Sequence, residues 1–211
     1  ADPSRICMAG ISLGALRSLR ACLLEPRIRT IVAMSGASDM REAFYKQNTP
    51  NNEWFESTDN SYILAGATSD LIEGRNVPGV LAWLDSFSAL NDLKTSTILN
   101  RPLSIYILHS YDDELFEPNP LLEFFRRIPI AEKVIDLNDG NHTFPPAFGC
   151  LGLPEQGWTK TYQWFDWYLK GIPSAINARI KKTPVGMQVF GAKERLYYTS
   201  WPIGQGWTQA Y

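Results

Sequence analysis

The sequence predicts an α/β fold in which a parallel β-sheet is covered by helices on both faces. Short apolar runs at 5–9 and 28–34 are typical of buried strands, and two further strand patterns follow along the chain. Segments with helical spacing separate them, and alternation of strands with helices favours a parallel sheet. The predicted strands are 5–9, 28–34, 102–109 and 132–137, and the clearest helical patterns are 15–24, 121–127 and 158–169.

The first strand leads into a Gly-x-Ser-x-Gly motif, Gly10-Ile11-Ser12-Leu13-Gly14, and then into an apolar helix. Strand, tight turn and helix form the context in which this motif is a nucleophile elbow. We expect Gly10 and Gly14 to let strand and helix pass closely. Ser12 is then the candidate nucleophile at the end of the strand, where the helix N-terminus provides positive potential. The backbone N–H of Leu13 is the candidate oxyanion donor.

A serine nucleophile needs a base, and the chain contains two histidines, His109 and His142. His142 follows the fourth predicted strand, which brings it to the same sheet edge as Ser12. His109 ends the third strand and precedes every acid of its own loop, so the chain order Ser, Asp, His cannot be built with it. We therefore predict His142 as the base and keep His109 as the alternative.

The acid that orients the base should follow the third strand, where the chain reads Asp112-Asp113-Glu114-Leu115-Phe116. Asp113 is favoured over Asp112 because an apolar residue three positions later can anchor the turn. The aspartate that is not used is expected to be a solvated turn residue. Asp139 is nearer to His142 in sequence, but it belongs to the same loop and is poorly placed to hold the imidazole from behind.

Composition narrows the classes of partner. With 211 residues and a net charge of −2, the chain offers no basic patch for nucleic acid. Its apolar runs are shorter than a membrane span. The three cysteines lack metal-ligand spacing, so we expect no metal, no cofactor and no disulfide framework; free thiols favour an intracellular compartment. The expected partner is a small-molecule ester or peptide substrate.

Four regions differ in character along the chain. Residues 1–39 hold the elbow strand, its helix and the next strand, and residues 101–180 hold the remainder of the core. Residues 40–100 are polar with helical patches at 62–71 and 80–90, which is typical of a cap or lid inserted over a cleft. Residues 181–211 contain short strand patterns at 184–191 and 195–199, which we interpret as the start of a separate β module.

Ser12, Asp113 and His142, each following a strand in that order, resemble the triad of the α/β-hydrolase fold. The later runs "YQWFDWYLKGI" and "VGMQVFGAKERLYYTSWP" resemble the X-Pro dipeptidyl-peptidase and cocaine esterase family of acyl hydrolases. In that family a last catalytic helix leads into the first strands of a jelly-roll domain, and a helical cap is inserted where residues 40–100 lie. The resemblance implies acyl transfer by a Ser-His-Asp mechanism.

The chain also departs from that family. Leu13 stands where an aromatic residue is common, and Ser110 stands where glycine is common. In such proteins strands precede the elbow, and a tyrosine from that region often completes the oxyanion hole. The resemblance therefore implies the C-terminal half of a hydrolase domain, a four-stranded parallel sheet with an open edge at Arg5–Ala9, and weak activity of this chain alone. That edge would pair with another copy or with a missing N-terminal half.

Two other interpretations remain open at this point. A dienelactone- or acyl-peptide-type hydrolase would carry the same three residues without a jelly-roll module. A non-catalytic hydrolase-like fragment or interaction protein would keep the fold without turnover.

Overall fold

The computed structural model describes residues 2–47, 78–97, 99–142, 158–189 and 194–202. Six strands lie in these ranges: β1 Ile6–Ile11, β2 Ile28–Met34, β3 Ser104–Ser110, β4 Glu132–Asn138, β5 Val185–Gln188 and β6 Arg195–Tyr198. The helices are α1 Leu13–Leu24, α2 Met40–Gln47, α3 Pro78–Asp85, α4 Ala89–Thr95, α5 Pro118–Arg127 and α6 Trp158–Phe165. A π-helical turn, Asp166–Lys170, continues α6, and a short 3₁₀ turn spans Asn177–Arg179.

The six strands form one sheet in the order β1-β2-β3-β4-β5-β6. Strands β1 to β5 are parallel to their neighbours, and β6 is antiparallel to β5. This confirms the predicted fold class of a mostly parallel sheet with helices. Because parallel strands end at the same sheet edge, the loops after β1, β3 and β4 lie together there.

The two faces of the sheet are covered by different helices. On one face, α1 and α5 pack their apolar sides onto β2, β3 and β4, with Leu19, Phe124 and Ile105 fully buried. On the other face, Trp164 of α6 is fully buried against Tyr106, and its indole N–H donates to Thr30 at 2.8 Å. Helices on both faces explain why β2 and β3 are buried along nearly their whole length.

A third apolar cluster lies beyond the carboxyl ends of the strands. It joins Phe44 of α2 and Leu84 of α3 to Leu16 of α1 and to Leu115 and Phe116, which follow β3. The two helices come from the region predicted as a cap. The helical pattern at 62–71 lies outside the described residues, and the pattern at 80–90 is divided between α3 and α4. These contacts bring α2 and α3 next to the candidate site.

The C-terminal strands differ from the expectation of a separate β module and of a four-stranded sheet. β5 pairs in parallel with β4 through Val185, Gly186 and Met187, and β6 continues the same sheet. Val185 is fully buried in the main core. A four-residue strand is too short for its pattern to distinguish a sheet edge from a separate domain. Val185–Gln188 and Arg195–Tyr198 therefore extend the sheet formed by β1 to β4.

One ionic cluster holds this end of the molecule together. Asp136 of β4 is fully buried, and its carboxylate accepts hydrogen bonds from the Tyr106 hydroxyl at 2.7 Å and from Lys160 Nζ at 3.1 Å. Arg179 and Arg195 approach the other oxygen at 2.9 and 3.6 Å. Burial would raise the pKa of Asp136, but these three cations outweigh it and hold the pKa well below its usual range. The carboxylate thereby links β4 to α6, the 3₁₀ turn and β6.

Candidate active site

The turn between β1 and α1 places Ser12 in an unusual backbone conformation. Its φ is +54° and its ψ is −120°, a combination that L-residues rarely adopt outside tight functional turns. The Ser12 N–H donates to the carbonyl of Met34 at the end of β2, at 2.9 Å. The serine is therefore fixed by the neighbouring strand at the point where β1 gives way to α1.

The two elbow glycines have different surroundings. A Cβ on Gly10 would lie 2.2 Å from the carbonyl carbon and oxygen of Gly14, so close passage of strand and helix requires glycine at position 10. A Cβ on Gly14 would meet no described atom within 4 Å. Close passage of strand and helix therefore accounts for glycine at position 10, whereas no described neighbour requires glycine at position 14.

The structure brings Ser12, His142 and Asp113 together in one hydrogen-bonded chain. His142 Nε2 lies 2.9 Å from Ser12 Oγ, and Nδ1 lies 2.9 and 3.0 Å from the two carboxylate oxygens of Asp113. A carboxylate only accepts hydrogen bonds, so Nδ1 carries the proton. Nε2 is then left as the acceptor for the serine O–H. This is the geometry in which a histidine can remove the hydroxyl proton of a serine.

Asp113 is held in a tight turn after β3. It is fully buried, and its Oδ1 accepts the backbone N–H groups of Leu115 at 2.9 Å and Phe116 at 2.8 Å. The ring of Phe116 meets the imidazole of His142 edge to face, with centroids 5.0 Å apart. The apolar residue three positions after Asp113 thus packs against the base. Asp112, the alternative acid, is exposed.

His109, the alternative base, lies close to Asp113 and is not the histidine that contacts Ser12. It is fully buried, and its Nε2 lies 3.1 Å from the Phe116 carbonyl and 3.9 Å from Asp113 Oδ2. This position makes it a neighbour of the acid. Asp139 lies in the loop that precedes His142, and the Nδ1 contact of the imidazole is with Asp113.

Sequence reasoning missed a contact that Glu114 makes with His142. Its Oε2 accepts the backbone N–H of His142 at 2.8 Å, which joins the turn after β3 to the loop after β4. The only available signal was its place directly after the candidate acid, and that signal does not reveal a contact across two loops.

The N-terminus of α1 provides a positive electrostatic potential next to Ser12. Leu13 begins the helix, so its backbone N–H belongs to the group of donors that an α-helix leaves without an intrahelical acceptor. The carbonyl of Ser12 already accepts the N–H groups of Ala15 and Leu16. A negative charge on the substrate would be stabilised at this helix end. The side chain of Leu13 is half exposed beside Ser12.

In the described part of the chain, no three His, Cys, Asp or Glu side chains are grouped as metal ligands. None of the described helices combines the length and apolar character of a bilayer span. Cys7 and Cys22 are free thiols, and burial raises the pKa of Cys22 to about 12.

Comparison with family models and with curated protein sequences finds no match for this chain. Comparison with solved protein structures does find matches. The chain matches 2,6-dihydroxy-pseudo-oxynicotine hydrolase with a TM-score of 0.59 at 19% identity, covering 82% of this chain and 43% of that one. It matches the acylaminoacyl peptidase of Pyrococcus horikoshii with a TM-score of 0.54 at 18% identity, covering 81% and 24%. It also matches an acylaminoacyl peptidase in complex with a chloromethyl ketone, with a TM-score of 0.55 at 18% identity. That match covers 86% of this chain and 27% of the peptidase.

The chain therefore spans between about a quarter and less than half of the structures it resembles. At identities below 20%, the likeness establishes the fold and no specific activity. Together with the sheet order, it shows that the described strands and helices form part of an α/β-hydrolase fold.

Proposed function

We propose that this chain carries the nucleophile, base and acid of a serine hydrolase that acts on an ester or amide. The observation that supports this most directly is the continuous contact from Ser12 Oγ through the imidazole of His142 to Asp113. A buried carboxylate behind a histidine and a serine at a helix N-terminus are arranged as an acyl-transfer mechanism requires.

In this mechanism His142 Nε2 takes the proton of Ser12 as the serine oxygen attacks the substrate carbonyl. Asp113 stabilises the imidazolium that forms, and the Leu13 N–H donates to the developing oxyanion. The imidazolium then protonates the leaving alcohol or amine. A water molecule, deprotonated by the same histidine, attacks the acyl-enzyme and regenerates the serine.

A narrower substrate class follows from the resemblance of residues 162–172 and 185–202 to the X-Pro dipeptidyl-peptidase and cocaine esterase family. That resemblance favours an acyl ester or an X-Pro peptide. The pairing of β5 with β4 gives no support to a separate jelly-roll module, so the choice between these substrates rests on the sequence runs alone. An aryl ester panel and an X-Pro-nitroanilide panel would distinguish them.

We also propose that the sheet edge at β1 is paired in the working protein, either with a second copy or with another strand of a hydrolase sheet. Hydrolase elbows use a second oxyanion donor in addition to the N–H after the serine, and loss of one donor costs about 10²–10³ in rate. Among the described residues we assign one such donor, the Leu13 N–H, so we expect this chain alone to be slow in both acylation and deacylation.

The test is the intact mass of the chain before and after exposure to a fluorophosphonate probe. A single adduct that disappears in Ser12→Ala supports the serine hydrolase. An unlabelled chain supports the other class, a hydrolase-like protein without catalysis. Co-purification of a second polypeptide with the labelled chain would identify the strand donor at β1.

A further inference from the structure

The histidine of the candidate site is held at two points by two consecutive carboxylates. Asp113 contacts Nδ1 of the His142 ring at 2.9 Å, and Glu114 accepts the backbone N–H of the same residue at 2.8 Å. The ring and the backbone of one residue are thus held from a single turn. In the proposed mechanism Asp113 supports proton transfer through the ring, whereas Glu114 accepts a hydrogen bond from the main chain of His142.

The turn that carries both carboxylates is held by several hydrogen bonds and is largely buried. Asp113 Oδ1 accepts the N–H groups of Leu115 and Phe116, and the His109 ring lies at hydrogen-bond distance from the Phe116 carbonyl. Asp113 and His109 are fully buried, and Leu115 and Phe116 are nearly so. Glu114 therefore extends from a fixed backbone position, and the hydrogen bond at its tip can fix whatever it binds.

His142 needs such a contact because it lies beyond β4, which ends at Asn138. The sheet ladder that fixes β4 on β3 stops at the pair Ser110 and Asn138. Past that pair, strand hydrogen bonds no longer determine where the imidazole lies. A displacement of about 1 Å of a reacting group can cost about 10²-fold in rate.

We propose that Glu114 is a positioning residue for His142. Its carboxylate fixes the backbone of the base so that Nε2 stays on Ser12 Oγ while Nδ1 stays on Asp113. Glu114 acts through His142 and needs no contact with substrate. The catalytic consequence of this inference rests on the proposed serine hydrolase function. The positioning of His142 itself can be measured separately, by NMR.

The experiment compares Glu114→Ala, Glu114→Gln and Asp112→Ala in the full chain. Alanine removes the acceptor, glutamine keeps an amide oxygen that can accept the same N–H, and Asp112→Ala removes an exposed carboxylate from the same turn. The first readout is the rate of serine labelling by the fluorophosphonate probe. We expect Glu114→Ala to label about 10- to 100-fold more slowly, and Glu114→Gln and Asp112→Ala to stay within about threefold of wild type.

The second readout is NMR of the histidine itself. The Nδ1–H proton of an imidazole bound to a buried carboxylate gives a downfield resonance, and the His142 amide should exchange slowly with solvent. Both signals should persist in Glu114→Gln and be lost or broadened in Glu114→Ala, with urea unfolding midpoints unchanged in all three variants.

The outcomes separate the two proposals. If the wild-type serine is not labelled, the proposed function fails, and the NMR signals still decide whether Glu114 positions His142. Equal labelling and equal NMR signals in Glu114→Ala and wild type would overturn the positioning role. So would a Glu114→Gln variant as slow as Glu114→Ala, because the hydrogen bond would then not be what matters.

Discussion

Strands β1 and β3 lie two positions apart in the same sheet, yet their surroundings are opposite. All seven residues of β3 are buried between β2 and β4, with helices above and below. No residue of β1 is fully buried, Ala9 is exposed, and β1 forms one edge of the described sheet. The candidate acid follows β3, and the candidate nucleophile follows β1.

This difference indicates that the two halves of the site are supported unequally. Asp113 and His142 are held by the centre of the sheet, by the turn after β3 and by Glu114. Ser12 is held by its contact with Met34, by the elbow and by α1. The acid and base should therefore be insensitive to what pairs with the edge, whereas the serine should respond to it.

The largest effect on the rate of Ser12 labelling is expected from a substitution at Asp113, which follows the central strand β3. Asp113→Asn keeps the size of the side chain but presents an amide where Nδ1–H needs an acceptor, which favours the wrong tautomer of His142. Labelling of Ser12 by a fluorophosphonate probe should slow about 10³–10⁴-fold. Asp112→Asn, at the exposed neighbour, is the matched control and should leave the rate unchanged. Equal slowing by both variants would mean that the turn, and not Asp113, matters.

The sequence predicted the central half of the molecule well because local signals and tertiary structure agree there. β2 was predicted at 28–34 and spans Ile28–Met34, since a continuous apolar run bounded by charged and small residues leaves little freedom. The choice of Asp113 over Asp112 used the apolar residue at 116, which in the structure is nearly buried and packs on the imidazole. Its catalytic role stays a prediction.

The remaining features depend on contacts between distant parts of the chain. The hydrogen bond from His142 to Glu114 joins two loops, and no pattern within either loop encodes it. β5 pairs with β4 beside Asp136, and the cations around that carboxylate come from separate elements. Gly14 shows the limit of a motif, because the motif requires the residue type without giving the reason for it.

A second, smaller effect is expected on the free energy of unfolding when the buried charge of Asp136 is removed. Asp136→Asn leaves Lys160 and Arg179 without a counter-charge and should lower the free energy of unfolding by about 3–5 kcal/mol at pH 7. The folded pKa of Asp136 lies below its unfolded value, so its contribution is complete above about pH 4 and is lost as pH falls.

Urea unfolding of wild type and Asp136→Asn between pH 7 and pH 2 measures this. The difference between the two should shrink by about 1.4 kcal/mol per pH unit below about pH 4. A difference that stays constant over this range would show that the pKa of Asp136 is the same in the folded and unfolded states.

The elbow allows a matched pair of substitutions at the edge. Gly10→Ala forces a Cβ against the backbone of Gly14 and should cost about 1–3 kcal/mol of stability while displacing Ser12. Gly14→Ala adds a methyl group in open space within α1 and should stabilise the chain by up to about 1 kcal/mol. Urea midpoints and probe labelling measure both. Equal loss in the two variants would contradict the distinction between the glycines.

The smallest effect on stability, and the sharpest test of the edge, is expected from Ala9→Lys. Ala9 is exposed on β1, so the substitution should change the free energy of unfolding by no more than about 0.5 kcal/mol. A lysine on an edge strand opposes pairing with a further strand.

If the β1 edge is occupied, light scattering should give wild type a mass above that of one chain and Ala9→Lys the mass of one chain. Leu24→Lys, which removes an exposed leucine at the far end of α1, should leave the wild-type mass unchanged. A wild type larger than one chain, whose Ser12 labels no faster than that of monomeric Ala9→Lys, would show that the serine does not depend on its edge.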